Sequence, residues 1–210
     1  VVNAITQYAN GSELNQFGGR FRYSKTQALI DGVNTAITSN ITTVRMRRDM
    51  VAAVNQFAQY ELCFDNEMYY GNTRYNIKTT GFNVQGIEGT CYFADEIVPG
   101  SNMGNLFLFQ EVNDDEINIL STAFGTVNYK TGEILIDTVN ITSTSLPENI
   151  IEVQAIPLSN DVLARKELYL QLDVAKSNFT MRQDSISSGA NTSGTRYSVQ
   201  SSYQNGKKTR

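Results

Sequence analysis

Two groups of neighbouring carboxylates have the residue types that glycoside hydrolysis uses. They are Asp95-Glu96 and Asn113-Asp114-Asp115-Glu116. Paired carboxyl groups cleave a glycosidic bond when one of them has a raised pKa and both face a cleft. Both groups, however, follow or precede predicted strands, where turn geometry favours Asn and Asp. The sequence therefore favours turns here, and a carboxylate hydrolase is a rival interpretation.

A third acidic stretch, Asp65-Asn66-Glu67, offers oxygen ligands to a metal ion. It lacks the twelve-residue spacing and the central glycine of a calcium loop. The chain has no histidine and only two cysteines, which excludes histidine-ligated and four-cysteine zinc sites. We predict no metal site, and we also predict that the protein has no cofactor.

The absence of histidine also excludes Ser-His-Asp and Cys-His catalysis and an imidazole base. The glycines at 81, 86 and 89 lack the strand-to-helix context of a phosphate-binding loop. Cys63 and Cys91 are interpreted as free thiols of a reducing compartment rather than as a disulfide. The sequence therefore predicts no catalytic residues, no small-molecule substrate and a protein that is not an enzyme.

The dense basic run of the chain before residue 176 is Arg45, Arg47 and Arg48. Strand alternation would place Arg45 and Arg47 on one side, where a phosphate or carboxylate could bind. A solvated or edge-protecting face is the favoured interpretation. A salt-bridged interface with another copy is the alternative, because the surrounding sequence is acidic.

Residues 176–210 carry six basic side chains and one acidic one, whereas residues 1–175 carry eleven basic and twenty acidic ones. An acidic surface does not attract nucleic acid. Aromatic and basic residues alternate irregularly in the tail, at Arg196, Tyr197, Tyr203, Lys207, Lys208 and Arg210. Without a folded platform this spacing does not favour base stacking, so we predict no nucleic-acid partner. No apolar run is long enough to span a bilayer, and we predict no membrane partner.

Aromatic and amide side chains also cluster between residues 66 and 76, as in carbohydrate-binding sites. They are Asn66, Tyr69, Tyr70, Asn72, Tyr75 and Asn76. Core and turn positions are the favoured interpretation of these residues. A β-sandwich that binds carbohydrate, as in a tail fibre or adhesin, is kept as the alternative function.

The elements that would position these residues are mostly strands. Residues 1–24 are polar with at most short strands, Ser24 begins a short helix, and Asn40–Arg48 reads as a strand. Beyond residue 56, β-branched and aromatic runs are separated by Gly, Asn, Asp or Pro. The predicted strands are Phe57–Phe64, Tyr75–Thr80, Thr90–Ala94, Asn105–Val112, Ile117–Ser121, Thr126–Tyr129, Glu133–Asp137, Ile150–Ile156 and Glu167–Asp173.

The clearest local signal is a hairpin between Gly125 and Ile136. Two alternating strands flank the loop Lys130-Thr131-Gly132, in which the glycine suits the left-handed residue after a type I turn. We expect a mainly β (β-rich α+β) fold with antiparallel sheets or a sandwich, one short N-terminal helix and a flexible C-terminal arm.

Three regions are predicted. Residues 1–50 form a lead-in segment with a short helix and a strand, residues 51–175 an antiparallel β domain, and residues 176–210 a flexible basic arm. The arm is serine-rich without apolar periodicity, so we expect it to order only on a partner. The sequence begins with Val1 rather than methionine, and its first residues do not have the pattern of a secretion signal. We therefore interpret the chain as a piece of a longer protein.

Four segments occur in an order that resembles a known family. They are Phe21–Asp31, Ala36–Met46, Tyr60–Asn66 and the hairpin residues Gly125–Ile134. Together, residues 17 to about 175 are similar to the C-terminal part of the baseplate wedge protein of T-even-like contractile-tailed bacteriophages, within the broader baseplate J-like group. The hairpin is the most specific of the four.

This resemblance implies a structural subunit of the virion, in the viral tail baseplate, that is assembled in the host cytoplasm. Proteins of the family form homodimers, contact other baseplate wedge subunits, join wedges into a ring and take part in the rearrangement that triggers contraction. The resemblance carries over no catalytic residues. The larger N-terminal part of the family's chain has no counterpart here, so its contacts cannot be placed on these residues.

Overall fold

The computed structural model describes residues 1–71, 75–113, 116–165 and 168–182, together with the backbone of residues 203–204 and 207–208. It contains 43% strand and 11% helix. The strand pairings between its named elements are antiparallel. The predicted β-rich fold class with antiparallel sheets is therefore confirmed.

The unit Val1–Ala175 is here called the body, and its described residues form two helices and eleven strands. The helices are α1 (Val2–Ala9) and α2 (Tyr23–Asp31), and a 3-10 turn spans Pro147–Asn149. The strands are β1 (Arg20–Phe21), β2 (Met46–Val51), β3 (Phe57–Cys63), β4 (Lys78–Thr79), β5 (Phe82–Val84), β6 (Tyr92–Ile97), β7 (Met103–Asn113), β8 (Glu116–Asn128), β9 (Glu133–Thr144), β10 (Ile150–Ala155) and β11 (Val162–Leu163).

Three antiparallel sheets organise these strands. The main sheet has six strands in the order β3-β9-β8-β7-β6, with β5 paired to the far end of β9. A second sheet has the order β2-β10-β4, and β1 pairs with β11 in a short third sheet. Residues near the N-terminus are thus joined to residues 150–163, far along the sequence.

The main sheet has one buried face and one partly exposed face. Leu62, Val127, Ile134 and Ile136 lie on the buried face, here called the inner face. The core beneath it also takes in residues of β2 and β10, including Met50. The opposite side of the same strands is here called the outer face.

The two helices are short. The pattern predicts α2 within two residues of its start, but it does not predict α1. The stretch 1–24 as a whole reads as polar, yet Ile5 and Tyr8 lie one turn apart and are both buried. Tertiary burial of this narrow stripe supports a helix that composition does not announce.

Several predicted strands need correction. The strand expected over Asn40–Arg48 begins only at Met46, and that over Tyr75–Thr80 shrinks to β4. The strands expected over 117–121 and 126–129 are one strand, β8. The described residues of Glu167–Asp173 form only an isolated bridge at Tyr169, and Glu167 lies outside the described residues. The ends of each strand depend on the strand that it pairs with, and a local sequence pattern does not contain that information.

The predicted hairpin between Gly125 and Ile136 is confirmed. Strands β8 and β9 pair from Gly125 opposite Ile136 to Asn128 opposite Glu133. Gly132 has φ +74° and its N–H donates to Asn128 O at 2.9 Å. Tyr129 belongs to the turn rather than to the strand, and its side chain enters the core.

The second unit is Lys176–Arg210. Within it, β12 (Tyr203–Gln204) pairs with β13 (Lys207–Lys208), and the sequence between them is Asn-Gly. Apart from residues 176–182 and this backbone pairing, the predicted flexible arm lies outside the described residues.

Candidate interaction surfaces

Among the described residues, the candidate hydrolase carboxylates do not share a cleft. Asp95 is fully buried on the inner face, where Tyr129 Oη donates to it at 2.6 Å and the Ile77 N–H at 2.7 Å. Asn76 Nδ2 adds a third hydrogen bond at 3.2 Å. Burial and the hydrogen bond to this carboxylate raise the pKa of Tyr129. Asp95 is a structural acceptor in the core rather than a group that faces a cleft.

The remaining acids lie elsewhere. Glu96, next along β6, is exposed on the outer face because strand side chains alternate. Glu116 is exposed at the start of β8 and accepts from Asn113 Nδ2 at 3.2 Å. Asp114 and Asp115 lie outside the described residues.

The stretch Asp65-Asn66-Glu67 is used for structure. Asp65 forms an ion pair with Arg165 at 2.7 Å. The Asn66 side chain donates from Nδ2 to Leu163 O and accepts from the Leu163 N–H at Oδ1, both at 2.9 Å. Within the described part of the chain, no group of three His, Cys, Asp or Glu side chains could hold a metal ion. The same part contains no helix long and apolar enough to cross a membrane.

The arginine run has divided roles. Arg47 forms ion pairs with Asp49 at 3.2 Å, Glu152 at 3.8 Å and Asp173 at 2.7 Å. These carboxylates belong to the same copy, so Arg47 ties the chain near residue 173 to the sheet of β2 and β10. Arg45 is exposed and precedes β2.

The candidate sugar-binding residues make separate contacts. Tyr70 stacks on Tyr129 with ring centroids 5.3 Å apart, and its hydroxyl donates to Asn102 at 3.0 Å. Tyr75 packs edge-on against Phe107 on the main sheet. Asn76 is buried beside Asp95, and Asn72 lies outside the described residues. These contacts give no support to a shared platform.

A surface that sequence reasoning missed is the outer face of the main sheet. Residues directly opposite each other in antiparallel strands share a face. The pairings run from Glu96 through Asn105, Thr126 and Leu135 to Glu61, across β6, β7, β8, β9 and β3. All five side chains are exposed. The row is polar and acidic at both ends, with Leu135 as its apolar member.

A second row lies beside the first. It joins Met103, Asn128, Glu133 and Cys63 across β7, β8, β9 and β3. The two rows line a shallow groove of about 370 Å³, whose lining includes Glu61, Met103, Thr126, Asn128, Glu133, Ile134 and Leu135. Leu135 and Met103 are 45% and 38% exposed, so the groove has an apolar floor with carboxylates at its side.

The thiol of Cys63 reports the electrostatics of this groove. Burial raises its pKa, and the carboxylates of Glu61, Glu133 and Asp65 raise it further. The carboxylate part of this shift reflects the negative charge that Glu61 and Glu133 place at the groove. The groove therefore suits a ligand that is apolar and positively charged.

The other end of the outer face is aromatic. Tyr92, Phe109 and Ile119 are paired across β6, β7 and β8, and the rings of Tyr92 and Phe109 lie 5.7 Å apart. Tyr75 covers this end through Phe107 and Phe109. A signal for the whole face was present in the sequence, because strands β3 and β6 to β9 contain no Lys or Arg.

Comparison with protein families gives a match in the N-terminal part of the chain. Residues 1–49 match the family described as baseplate structural protein gp6, C-terminal domain III. The match supports a phage baseplate protein. The family is structural, and it implies a location in the virion tail baseplate and contacts with other baseplate proteins. No curated protein matches the chain significantly.

The matched residues comprise α1, β1, α2 and the first part of β2. They cover less than a quarter of the chain but are built into the body. β2 pairs with β10 along its whole length, and the Tyr23 N–H donates to Asp161 Oδ1 at 2.8 Å. The baseplate-like segment and the β-rich remainder thus share hydrogen bonds and one core.

Proposed function

We propose that this chain is a structural subunit of a contractile phage tail baseplate wedge. In this role it forms a homodimer, contacts other wedge subunits and links neighbouring wedges into a ring. It is assembled in the host cytoplasm and needs no catalytic activity. Residues 51–175 act as its contact-bearing β domain, and residues 176–210 as an arm.

The observation that carries the proposal is the family match at residues 1–49. The match bears on the rest of the body as well, because residues 1–49 pack and pair with it. β1 pairs with β11, and β2 pairs with β10, so the baseplate-like part folds together with residues 150–163. The T-even-like resemblance of residues 17 to about 175 supports the wedge assignment and the J-like relationship.

The surfaces described above agree with a structural role in which the chain binds other proteins. Stable protein contacts bury roughly 800 Å² on each partner. The outer face spans five paired strands and presents its exposed row to solvent. Closing a ring requires either two different contact surfaces or alternating self-complementary ones.

Immunogold labelling of purified tails from the source virus tests the proposal. An antibody raised against residues 1–210 is expected to label the baseplate end of the tail. Labelling of the fibre tips alone, together with binding on a glycan array, would favour the carbohydrate-binding alternative. Absence of label from intact tails and from disassembled baseplates would refute a virion role.

A further inference from the structure

Charge is distributed unevenly within the body. Residues 1–56 contain six basic and three acidic side chains, whereas residues 57–163 contain three basic and fifteen acidic ones. The strands that form the groove carry Glu61 and Glu133 and contain no Lys or Arg. One copy of the chain therefore carries both a net basic segment and a net acidic one, and complementary charges of this kind favour pairing between copies.

A segment that matches the groove lies in residues 40–45. These residues form no strand, and Ile41 is 100% exposed. The start of the segment is fixed against α2, because Tyr23 Oη donates to Thr42 O at 2.9 Å and Asn40 Nδ2 donates to Asp31 Oδ1 at 2.5 Å. Ile41 is thus held in solvent by a fastened segment rather than by a loose one.

Arg45 supplies the charge of this segment. It is exposed, and no carboxylate of the described residues forms an ion pair with it, in contrast to Arg47. The segment thus presents an exposed aliphatic side chain and an exposed guanidinium, and Arg is enriched at protein interfaces. The groove offers the complementary pair, an apolar floor with carboxylates at its side.

We propose that the groove binds the Asn40–Arg45 segment of a second copy of this chain. Ile41 packs on Leu135 and Met103, and the Arg45 guanidinium pairs with Glu61 and Glu133. This inference rests on the homodimer in the proposed function and names the contact that forms it.

The dimensions of the two partners agree. Neighbouring strands lie about 4.8 Å apart, so the three steps from β7 to β3 span roughly 14 Å. The four residue-to-residue steps from Ile41 to Arg45 reach about 13 Å when extended. An extended segment laid across the strands therefore brings Ile41 over the floor while Arg45 reaches the carboxylates of β3 and β9.

A second copy is the favoured occupant because the chain carries both halves of the contact. In a two-fold dimer each copy would donate its segment and receive the partner's, so the contact is made twice. Every substitution in it then acts twice on the dimer, which makes the effect large. A basic segment of a different baseplate subunit is the competing occupant.

Sedimentation velocity of the full chain tests the apolar half of the contact. Ile41→Ser and Leu135→Ser are each expected to raise the dimer Kd at least about tenfold. Leu158→Ser is the matched control, since Leu158 is also 45% exposed but lies outside the groove. The control should dimerise like the wild type, and circular dichroism of all variants checks that they fold.

A charge exchange tests the ionic half. Arg45→Glu and Glu133→Arg are each expected to be monomeric where the wild type is dimeric. In an equimolar mixture both contacts regain opposite charges, because the Glu133→Arg groove receives the Arg45→Glu segment and the two native halves meet each other. The mixture is therefore expected to form a heterodimer, whose Kd rises with salt.

Each other outcome overturns the inference. If the wild-type chain is monomeric at tens of micromolar in low salt, the proposed dimer contact does not exist. Dimers unaffected by Ile41→Ser and Leu135→Ser place the interface elsewhere. Folded variants that dimerise normally but lose binding to another baseplate subunit identify that subunit as the occupant. In all three cases the immunogold label still decides independently whether the chain is part of the baseplate.

Discussion

Tyr129 Oη donates a 2.6 Å hydrogen bond to Asp95 Oδ2 inside the body. Tyr129 follows β8 and Asp95 lies in β6, so the phenol passes across the intervening strand β7. Gly104 of β7 leaves room for it, because a Cβ there would lie 2.4 Å from the Tyr129 hydroxyl oxygen. The turn of the confirmed hairpin is thereby anchored to the strand two places away.

Removal of this hydroxyl should destabilise the fold. Tyr129→Phe leaves the buried Asp95 carboxylate without one of its donors, and a hydrogen bond to a charged group contributes roughly 1.5–3 kcal/mol. The free energy of unfolding in urea measures the loss. Tyr70→Phe is the control, since its hydroxyl bonds to Asn102 at an exposed site and its loss should cost less than about 0.5 kcal/mol. Equal losses in the two variants would contradict the anchoring role.

The same pair predicts a loss of stability at alkaline pH. Burial and the Asp95 carboxylate raise the pKa of Tyr129 in the folded chain, so above about pH 10 the unfolded chain releases this proton more readily. The stabilisation is complete below about pH 10 and falls as the pH rises further. Urea unfolding between about pH 9 and 11 should show a steeper decline in the wild type than in Tyr129→Phe. Parallel declines would argue against a raised pKa.

The hairpin glycine should not tolerate a side chain. Gly132 has φ +74°, and a Cβ there would lie 2.3 Å from the Asn66 carbonyl oxygen. Gly132→Ala therefore adds a clash with backbone to an unfavourable conformation. Gly86 has a similar φ of +80° but nothing within 4 Å of the corresponding Cβ.

Gly86→Ala thus isolates the conformational part of the effect. We expect Gly86→Ala to lower the free energy of unfolding by about 1 kcal/mol and Gly132→Ala to lower it by roughly 2–4 kcal/mol. Thermal and urea unfolding of the two variants measure the difference. A loss in Gly132→Ala no larger than that in Gly86→Ala would mean that Asn66 moves aside.

The two thiols should differ in reactivity. Burial and the neighbouring carboxylates raise the pKa of Cys63, so its thiolate fraction at pH 8 is lower than that of an unfolded-chain cysteine. Iodoacetamide should therefore alkylate native Cys63 slowly, as followed for each site by mass spectrometry. Glu133→Gln removes one of the charges and should accelerate the reaction. An unchanged rate would contradict an effect of the Glu133 carboxylate on the Cys63 thiol.

Cys91 provides an internal reference for that measurement. It is fully buried, and burial raises its pKa. We expect no alkylation of Cys91 until the chain unfolds. Native labelling at both sites at similar rates would indicate that the body opens locally on the time scale of the reaction.

Local patterns were sufficient where a signal is contained in a few consecutive residues. The turn at Lys130-Thr131-Gly132 was predicted because a glycine at the left-handed position and alternating flanks are local features. Strands Phe57–Cys63 and Ile150–Ala155 were found within a residue of their bounds. By contrast, α1 was missed because only two of its residues are buried.

The functional surface was harder to predict. The candidate hydrolase carboxylates Asp95 and Glu96 are adjacent in sequence but lie on opposite faces of β6. Glu61 and Leu135 are 74 residues apart in the chain and lie side by side in adjacent strands. Register between strands creates this neighbourhood, and register is set by burial of the inner face rather than by any local motif.

The sequence by itself determined the β-rich class, the hairpin, the absence of histidine chemistry and the division of charge along the chain. Those properties depend on residue type and on local geometry, which neighbouring residues suffice to define. Only the tertiary structure decided that Asp95 is a core acceptor, that Arg47 finds its carboxylates within its own copy, and that Leu135, Met103, Glu61 and Glu133 line one groove. These relationships require segments distant in sequence to be paired, and the burial of the shared core selects that pairing.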